Sequence, residues 1–409
     1  MLKPLVYRLL ERRHTWRHAD FDEIAEIYAS RTLRVMAISM VSVFTAVYLY
    51  QNGFHLVYIM LYFASYWILK ASLTFLAAFV VARIGPKHTT LLSNLLYVLA
   101  LIIFSQLGKY GVIALIISGT LQAVSVALYD LSHMVNFSKV KHLDHLGKEL
   151  SFMYMLERGG AAISPIIGGL IAYWFGPEVT MLVAAVVFAL AATPLFFTPE
   201  PVQTKQHITF RHFNWRDTRR GIFASLAVGA DLITSGSTWS LYVALTIFGI
   251  STDAIYAQLG ALVGVTVLAA VVFSRLYGIV IDRRRGGELL NFGVAGDALV
   301  HISRPFVGTP FGVIMINIVN ESVTNAYAMP FTKGIFDQAD NLPGYRIVYA
   351  ALISIATSLG SALMALVIGG LSLLNSEVQT LQISFVVTAL VVLLIGTQRF
   401  PALRRPSPM

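Results

Sequence analysis

The sequence predicts an all-α integral membrane protein with 12 transmembrane helices arranged as two six-helix pseudo-repeats. Three observations support this prediction. Of the 409 residues, 56% are hydrophobic and only 12% are charged, about half the charged fraction of a typical soluble domain. The apolar residues form long runs, and a helix that crosses a bilayer needs about 20 of them. The basic residues fall almost wholly between alternate pairs of these runs.

Twelve apolar runs are long enough to cross a bilayer. Transmembrane strands read as short segments of alternating polarity, whereas these runs are long and do not alternate, so helices are predicted. The predicted spans cover residues 33–53, 57–81, 89–107, 111–136, 152–174, 179–197, 222–248, 254–280, 288–307, 310–332, 346–370 and 378–398.

The distribution of Lys and Arg predicts the orientation. With both termini placed in the cytoplasm, all 30 of these residues except Lys70, Lys109 and Arg304 lie in cytoplasmic segments or at their membrane edges. Cytoplasmic loops carry this excess in membrane proteins generally. We therefore expect a multi-pass protein of a plasma (bacterial cytoplasmic) membrane with cytoplasmic termini. The net charge of +9 reflects this topology and attraction to anionic lipid, and nucleic-acid binding is not expected.

A polar segment divides the chain. Residues 198–220 combine proline with many charged residues, as expected of a cytoplasmic linker. We predict a cytoplasmic N-terminal segment without the features of a signal peptide. The absence of cysteine excludes disulfides and thiolate metal sites, and no cofactor or metal is predicted. The predicted parts are 1–32 (N-terminal segment), 33–197 (first six-helix half), 198–220 (linker), 221–398 (second half) and 399–409 (cytoplasmic tail).

Small residues recur at a nearly constant offset between the two halves. Glycines of the fifth span are answered by glycines of the eleventh, and internal repeats of this kind are typical of secondary transporters. Small residues spaced four apart also give a flat helix face that another helix can approach closely, and Pro165 bends the helix that carries it. The residues concerned are Gly160, Ser164, Pro165, Gly168 and Gly169, answered by Gly360, Gly369 and Gly370.

A basic turn follows both the second and the eighth span. The first copy keeps Arg83 and Gly85, and the second keeps Gly278, Asp282 and Arg283. With six plus six spans and a basic central loop, these motifs make the whole chain resemble the major facilitator superfamily. In that family the turn reads G-x-x-x-D-R-x-G-R-[RK] and helps to control which side is open. The small-residue motif of the fifth span is associated there with antiporters.

The resemblance implies rocking of two halves around a midplane site lined by spans one, four, seven and ten. Ionisable residues at this depth cost about 2.5–3.5 kcal/mol on insertion scales, so each is a functional candidate. Lys70 should bind an anionic group of the substrate or pair with a buried carboxylate. For Asp130, an ion pair with the basic loop 139–148 is as expected as proton coupling. Asp231 heads a stretch rich in Ser and Thr, and is a substrate-site or proton-site candidate.

Spans nine and ten carry the remaining candidates. On span ten, Glu321 lies one helical turn from both Asn317 and Asn325, and Asn320 lies beside it. Because burial favours the neutral form of a carboxylate, Glu321 is predicted to couple protons or to bind substrate. On span nine, Asp297, His301 and Arg304 form one stripe. We expect a buried network that joins span nine to its neighbours, with a proton relay as the alternative.

These features predict a secondary transporter rather than an enzyme. No phosphate-binding P-loop sequence is present, whereas several intramembrane carboxylates are available to carry protons. We expect proton-coupled export of a small organic solute by a protein that is monomeric among membrane lipids. The alternatives are a flippase for lipids with anionic headgroups, a proton-coupled uptake symporter, and a sensor that no longer transports.

Overall fold

In a computed structural model, the described part of the chain covers residues 21–140, 146–196, 213–252, 254–282, 285–342, 345–398 and 400. Most of these residues are helical, and none of them forms a strand. Long helices follow one another in chain order: α1 Phe21–Ser42, α2 Leu56–Ile84, α3 Pro86–Phe104, α4 Val112–Val140, α5 Leu146–Phe175, α6 Pro177–Ala192, α7 Trp215–Ile233, α8 Ile255–Asp282, α9 Gly286–Ser303, α10 Pro310–Asp340, α11 Arg346–Leu371 and α12 Glu377–Val392.

Two of these helices continue beyond a local change in winding. A short helix, Thr45–Gln51, extends α1. Beyond Ile233, α7 becomes a π-helix at Thr234–Thr238, returns to α at Trp239–Val243 and widens again at Ala244–Phe248. Such π-helical turns often occur at functional sites, and the first of them begins three residues after Asp231.

Single glycines make the turns that join α2 to α3 and α5 to α6. Gly85 has φ 87° and Gly176 has φ 92°, values that only glycine adopts without steric cost. Proline follows each of them at the first position of the next helix, where its missing N–H costs nothing. The requirement for Gly85 in the basic turn is therefore conformational.

Polar side chains face the interior of the bundle and large apolar side chains face outward. Thr74 is fully buried, whereas Leu76, two residues later on α2, is 61% exposed. Thr388 on α12 is fully buried and Leu390 is 68% exposed. The buried hydroxyls donate to carbonyl oxygens one turn earlier in their own helices. An apolar exterior is the surface that a lipid environment requires.

Seven segments of the described chain are long and apolar enough to cross a membrane. Among the remaining long helices, α7 contains Asp231, α9 contains Asp297 and α10 contains Glu321, and these charged residues make the helices more polar. The seven candidate spans are Glu26–Gln51, Leu56–Ile84, Pro86–Phe104, Val112–Met134, Pro177–Phe196, Arg346–Leu371 and Glu377–Thr397.

Equivalent helix pairs form among the first six and the last six helices. Helix α1 packs against α5 as α7 packs against α11, α2 against α4 as α8 against α10, and α3 against α4 and α6 as α9 against α10 and α12. The two sets of six meet chiefly where α5 crosses α8 and where α2 crosses α11. The sequence-predicted small-residue motif lies at the first of these crossings.

Small residues allow α5 and α8 to approach to backbone contact. A Cβ atom on Gly260 of α8 would lie 2.1 Å from the carbonyl oxygen of Pro165, and one on Gly169 would lie 2.5 Å from that of Tyr256. The other glycines of the motif, Gly160 and Gly168, pack instead against Met36 and Met40 of α1. Ser164 donates to the carbonyl oxygen of Gly160 at 2.6 Å, and α5 continues through Pro165.

The predicted gating turns are placed at the ends of α2 and α8. Arg83 is exposed near the end of α2, Gly278 is buried in α8, and Asp282 is the last residue of α8. Arg283, most of the predicted linker and most of both predicted terminal segments lie outside the described residues. The gating role of these turns therefore stays a prediction.

Candidate functional site

A cavity of about 510 Å³ lies between the two sets of six helices. Its walls come from α1 to α4 on one side and from α7, α8 and α10 on the other. The apolar lining combines aliphatic side chains with seven aromatic rings, namely Tyr62, Phe63, Tyr66, Trp67, Tyr97, Phe104 and Trp239. The polar lining consists of Ser42, Thr45, Gln122, Ser235, Ser237, Ser240, Thr266, Asn317, Asn320 and Glu321.

An ion pair crosses between the two sets of helices at this cavity. Arg158 of α5 donates through Nη1 to Oε2 of Glu321 on α10 at 2.8 Å, and through Nη2 to Oδ1 of Asn325 at 3.3 Å. Both charged side chains are largely shielded, with 25% and 20% of their surface exposed. Asn325 does not line the cavity and lies one turn farther along α10, so the pair marks one end of the cavity.

The residue before Arg158 is paired within the first set of helices. Glu157 accepts from the guanidinium of Arg31 on α1, with Nη2 at 3.1 Å from Oε2 and a second, shorter contact from Nε. Arg31 also donates to the hydroxyl of Tyr129 on α4 at 3.3 Å. Arg31 thus compensates the charge of Glu157 within the first set, and Arg158 is available to pair with a residue of the second set.

A buried polar cluster lies behind the cavity wall in the last six helices. Asp231 of α7 accepts three hydrogen bonds there. His301 lies 3.0 Å from Oδ1, Ser235 donates to the same oxygen at 2.7 Å, and the hydroxyl of Tyr327 donates to Oδ2. Asp231 is 3% exposed, so these donors replace the water that a carboxylate requires.

Arg304 connects this cluster to the cavity. Its Nη1 lies 3.0 Å from Nδ1 of His301 and 3.1 Å from the hydroxyl of Ser235, and its Nη2 donates to Oδ1 of Asn320 at 2.9 Å. Arginine cannot accept a hydrogen bond, so Nδ1 of His301 accepts and Nε2 carries the hydrogen donated to Asp231. Ser235 and Asn320 both line the cavity.

Asp297 completes the cluster and has few partners. Its Oδ1 accepts from Thr324 at 3.5 Å, and its Oδ2 lies 3.8 Å from Nε2 of His301. The residue is fully buried. The network predicted for span nine thus includes Asp231 of α7 and Asn320 of α10 as well. Asp297, His301 and Arg304 do not themselves line the cavity, whereas Asn320 does.

Lys70 and Asp130 pair with each other. Nζ of Lys70 lies 2.7 Å from Oδ2 of Asp130 and 4.9 Å from the ring centre of Trp67. The expectation for Asp130 was an ion pair with the basic loop 139–148 or proton coupling, whereas its partner here is Lys70 on α2. The reason is that α2 and α4 pack together with both residues at the same depth. Neither residue lines the cavity.

Two remaining amides have separate tasks. Asn317 accepts from the indole N–H of Trp239 at 2.7 Å, which fixes the ring on the cavity wall. Asn325 assists Glu321 in holding Arg158. The polar face predicted on span ten is therefore divided among Trp239, Arg304 and Arg158.

The comparisons with known proteins agree with this architecture. A family model described as Major Facilitator Superfamily matches residues 27–332. The chain belongs to the major facilitator superfamily. No curated protein matches the sequence. The match covers about three quarters of the chain, from within α1 to the cavity-lining part of α10. This superfamily consists of membrane transporters.

Solved structures of superfamily transporters share the fold. The human organic anion transporter MFSD10 (TETRAN) has a TM-score of 0.70 at 10% identity, with 92% of this chain and 98% of that chain covered. The transporter FucP in an outward conformation has a TM-score of 0.62 at 14% identity, covering 91% and 96%. A second FucP structure, of the E. coli fucose:proton symporter, has a TM-score of 0.63 at 14% identity, covering 91% and 97%.

Sequence reasoning missed two arginines in the interior of the first set. Arg158 and Arg34 counted as cytoplasmic-edge residues because spans were predicted to begin at 152 and 33, whereas α5 begins at Leu146 and α1 at Phe21. Arg158 consequently lies about 18 Å along its helix. Arg34 is 1% exposed and lies 3.8 Å from the ring centre of Tyr129. The pair Glu157-Arg158 directly before two glycines was the available signal.

Proposed function

We propose that this protein is a proton-coupled secondary transporter that moves a small organic solute across a bacterial cytoplasmic membrane by alternating access. The proposal includes 12 membrane-crossing helices in two six-helix pseudo-repeats, a monomeric carrier, and both termini in the cytoplasm. Equivalent helix packing in the two sets supports the repeat, and the distribution of basic residues supports the orientation. The observation that carries the proposal is the cavity between the two sets, with the Arg158–Glu321 pair across one end.

The pair suits a gate that responds to the solute. Arg158 and Glu321 stand on helices of different sets, so they hold α5 and α10 together while they remain bonded. A charged group of a solute can compete for one of the two partners, because a group that enters the cavity meets Glu321 on its wall. Binding then weakens the link between the sets, which is the differential interaction that a ligand needs to shift a conformational equilibrium.

The cavity lining indicates the chemistry of the solute. Seven aromatic rings suit an aromatic or apolar body, and a volume of about 510 Å³ lies within the range of small-molecule sites. The charged part of the solute is either a carboxylate that takes Arg158 or an amine that takes Glu321. Lys70 is paired with Asp130 and lies away from the cavity, so we do not propose it as the residue that binds an anionic group of the solute.

We propose export by antiport, because the small-residue motif of α5 is associated with antiporters in the superfamily. In this structure Pro165 and Gly169 of that motif lie at the crossing of α5 with α8, a contact between the sets that must adjust when they rock. The fold shared with a fucose:proton symporter makes proton-coupled uptake the competing direction.

Reconstitution into proteoliposomes tests the proposal. A pH gradient is imposed, and its decay is followed with an internal pH dye while candidate organic anions, amines and zwitterions are added one at a time. We expect one class of solute to accelerate the decay in wild-type vesicles and to have no effect in vesicles that contain Arg158→Gln. The control is Glu288→Gln, which removes an exposed carboxylate paired with Arg285. Transfer of fluorescent lipid with no response to any solute would instead identify a flippase.

A further inference from the structure

One oxygen of Asp297 is buried without a hydrogen-bond donor. Among the described residues, none donates to Oδ2, and its nearest recorded polar neighbour is Nε2 of His301 at 3.8 Å. The other oxygen has only the hydroxyl of Thr324 at 3.5 Å. A carboxylate with so few donors in a dry interior is energetically costly, whereas the protonated acid avoids most of that cost because it is neutral.

Asp231, in contrast to Asp297, accepts several hydrogen bonds. Three donors converge on it, from His301, Ser235 and Tyr327. Hydrogen bonds to the charged form favour ionisation, so Asp231 is the anion of the cluster. The two aspartates lie close together in one buried site but differ in their hydrogen-bond donors. This difference favours a permanent negative charge on Asp231 and an exchangeable proton on Asp297.

The charge balance leads to the same assignment. The titratable and charged groups around Asp297 are Asp231 from α7, His301 on its own helix, Arg304 just beyond that helix, and Tyr327 from α10. Among the side chains that the structure describes, α12 brings no charged group into hydrogen-bond or ion-pair contact with the cluster. Arg304 balances Asp231. The buried cluster is therefore neutral only while Asp297 is protonated.

A metal ion fits the same residues poorly. One potential ligand atom from each of Asp231, Asp297 and His301 lies within 4.8 Å of the others. Coordination would need the lone pair of Nε2, but that nitrogen carries a hydrogen because Nδ1 accepts from Arg304. Asp231 likewise already accepts three hydrogen bonds. A proton on Asp297 therefore suits this site better than a metal ion.

We propose that Asp297 is the proton-binding residue of this protein, in a site behind the cavity wall and distinct from the Arg158–Glu321 pair. The assignment rests on the proposed function only where it identifies this proton as the coupling ion. Arg304 transmits its effect, because it contacts the cluster and also Ser235 and Asn320 on the cavity wall. Loss of the proton adds a negative charge beside Arg304, which draws the guanidinium from Asn320 and alters the solute site.

Infrared spectroscopy of the full-length protein in lipid tests the protonation directly. The carbonyl band of a protonated carboxyl group is followed from mildly acidic to alkaline pH. We expect a titrating band that Asp297→Asn removes, and that Glu321→Gln and the surface control Glu288→Gln retain. A band that persists in Asp297→Asn and disappears in Glu321→Gln or in Asp231→Asn would overturn the assignment.

A second variant guards against misfolding of Asp297→Asn. Asp297→Glu keeps a titratable group but moves it by one methylene, so the band should remain and titrate at a shifted pH. An unchanged titration in this variant would contradict a role for Asp297. Size-exclusion chromatography of each variant establishes that the folded protein is being compared.

Transport measurements separate this inference from the proposed function. With any solute that dissipates the pH gradient in wild-type vesicles, Asp297→Asn should retain solute exchange in the absence of a gradient and should lose the solute-driven proton movement completely. Solute-driven proton movement that survives in Asp297→Asn would refute the coupling role. If no solute moves protons in wild type but the infrared band depends on Asp297, the proposed function fails and the proton site stands.

Discussion

Lys70 and Asp130 show how a charge is accommodated at bilayer depth. Lys70 is 4% exposed on α2, and its ammonium group lies 2.7 Å from a carboxylate on α4 and near the face of Trp67. The partner comes from a helix more than 50 residues away in the chain, so only packing brings the two together. Each charge compensates the other, and the pair joins two helices of the first set.

Removing one member of this pair should destabilise the protein more than removing both. Lys70→Met leaves Asp130 without its cation, and an unpaired charge at this depth costs about 2.5–3.5 kcal/mol. We expect a smaller loss than that, because the Asp130 side chain is 37% exposed and can recruit water. The double variant Lys70→Met/Asp130→Asn should recover most of the stability in thermal unfolding of the purified protein. A double variant no more stable than Lys70→Met would show that the pair contributes nothing.

The Arg158–Glu321 pair offers a second test at the scale of single residues. Because the chain contains no cysteine, the variant Ser237→Cys places a single thiol on the cavity wall. Adding Glu321→Gln should loosen α5 from α10 and speed labelling of this thiol by a water-soluble maleimide. A partly exposed ion pair contributes up to about 1 kcal/mol, so a factor of about 5 is expected. Glu288→Gln in the same background is the control, and an equal rate with Glu321→Gln would exclude a gate.

At the scale of helices, glycine determines how closely the two sets approach. The crossing of α5 with α8 leaves no room for a Cβ at Gly260, which would lie 2.1 Å from the carbonyl oxygen of Pro165. An equally close crossing joins α7 to α11, where a Cβ on Gly360 would lie 1.9 Å from the carbonyl oxygen of Leu226. In contrast, Gly370 near the end of α11 has no neighbour within 4 Å.

The substitution Gly260→Ala should therefore destabilise the protein, whereas Gly370→Ala should not. Overpacking a tight contact costs about 1–3 kcal/mol, and here the obstructing atom is backbone that cannot rotate away. Thermal unfolding of the two purified variants, measured in the same detergent, provides the comparison. Equal midpoints for Gly260→Ala and wild type would mean that the helices separate without cost, and the crossing would then not constrain the fold.

At the scale of the whole molecule, a second group of contacts joins the two sets where α1 ends and α2 begins. Glu377, the first residue of α12, accepts from the hydroxyl of Tyr50 at 2.7 Å and from the backbone N–H of Leu56 at 3.2 Å. Gln51 donates to the carbonyl oxygen of Ile250 at 2.7 Å. This end is the one predicted to face outward, and the cavity lies between it and the Arg158–Glu321 pair.

Glu377→Ala should open the outer end. The substitution removes the acceptor shared by Tyr50 and Leu56, and alternating access requires the two ends to open in turn. In sealed vesicles of known orientation, an impermeant maleimide should then label Ser237→Cys faster from the predicted outer side, whereas Glu321→Gln should speed labelling from the opposite side. Faster labelling from the same side in both variants would contradict the arrangement of two opposed gates.

Much of the architecture could be predicted from the sequence because lipid imposes a simple rule. Apolar runs must be helices, and their approximate limits follow from their composition alone, so α2, α4 and α11 lie close to the predicted spans. The helix starts differ most from the predicted spans for α1, α5 and α7. Helices α1 and α5 begin at Phe21 and Leu146, before the predicted span starts at 33 and 152. Composition also does not reveal that Arg34 and Arg158 are held by side chains of neighbouring helices.

The sequence by itself determined the membrane class, the helical content, the family and the set of polar residues that are candidates for a functional role. Each of these depends on local composition or on spacing along one helix, as with Glu321 and its asparagines. The tertiary structure alone decided which of those residues meet: Lys70 with Asp130, Arg158 with Glu321, and Asp231 with His301. The reason is physical, since compensation of a buried charge depends on distances of about 3 Å between side chains, and helix packing sets those distances.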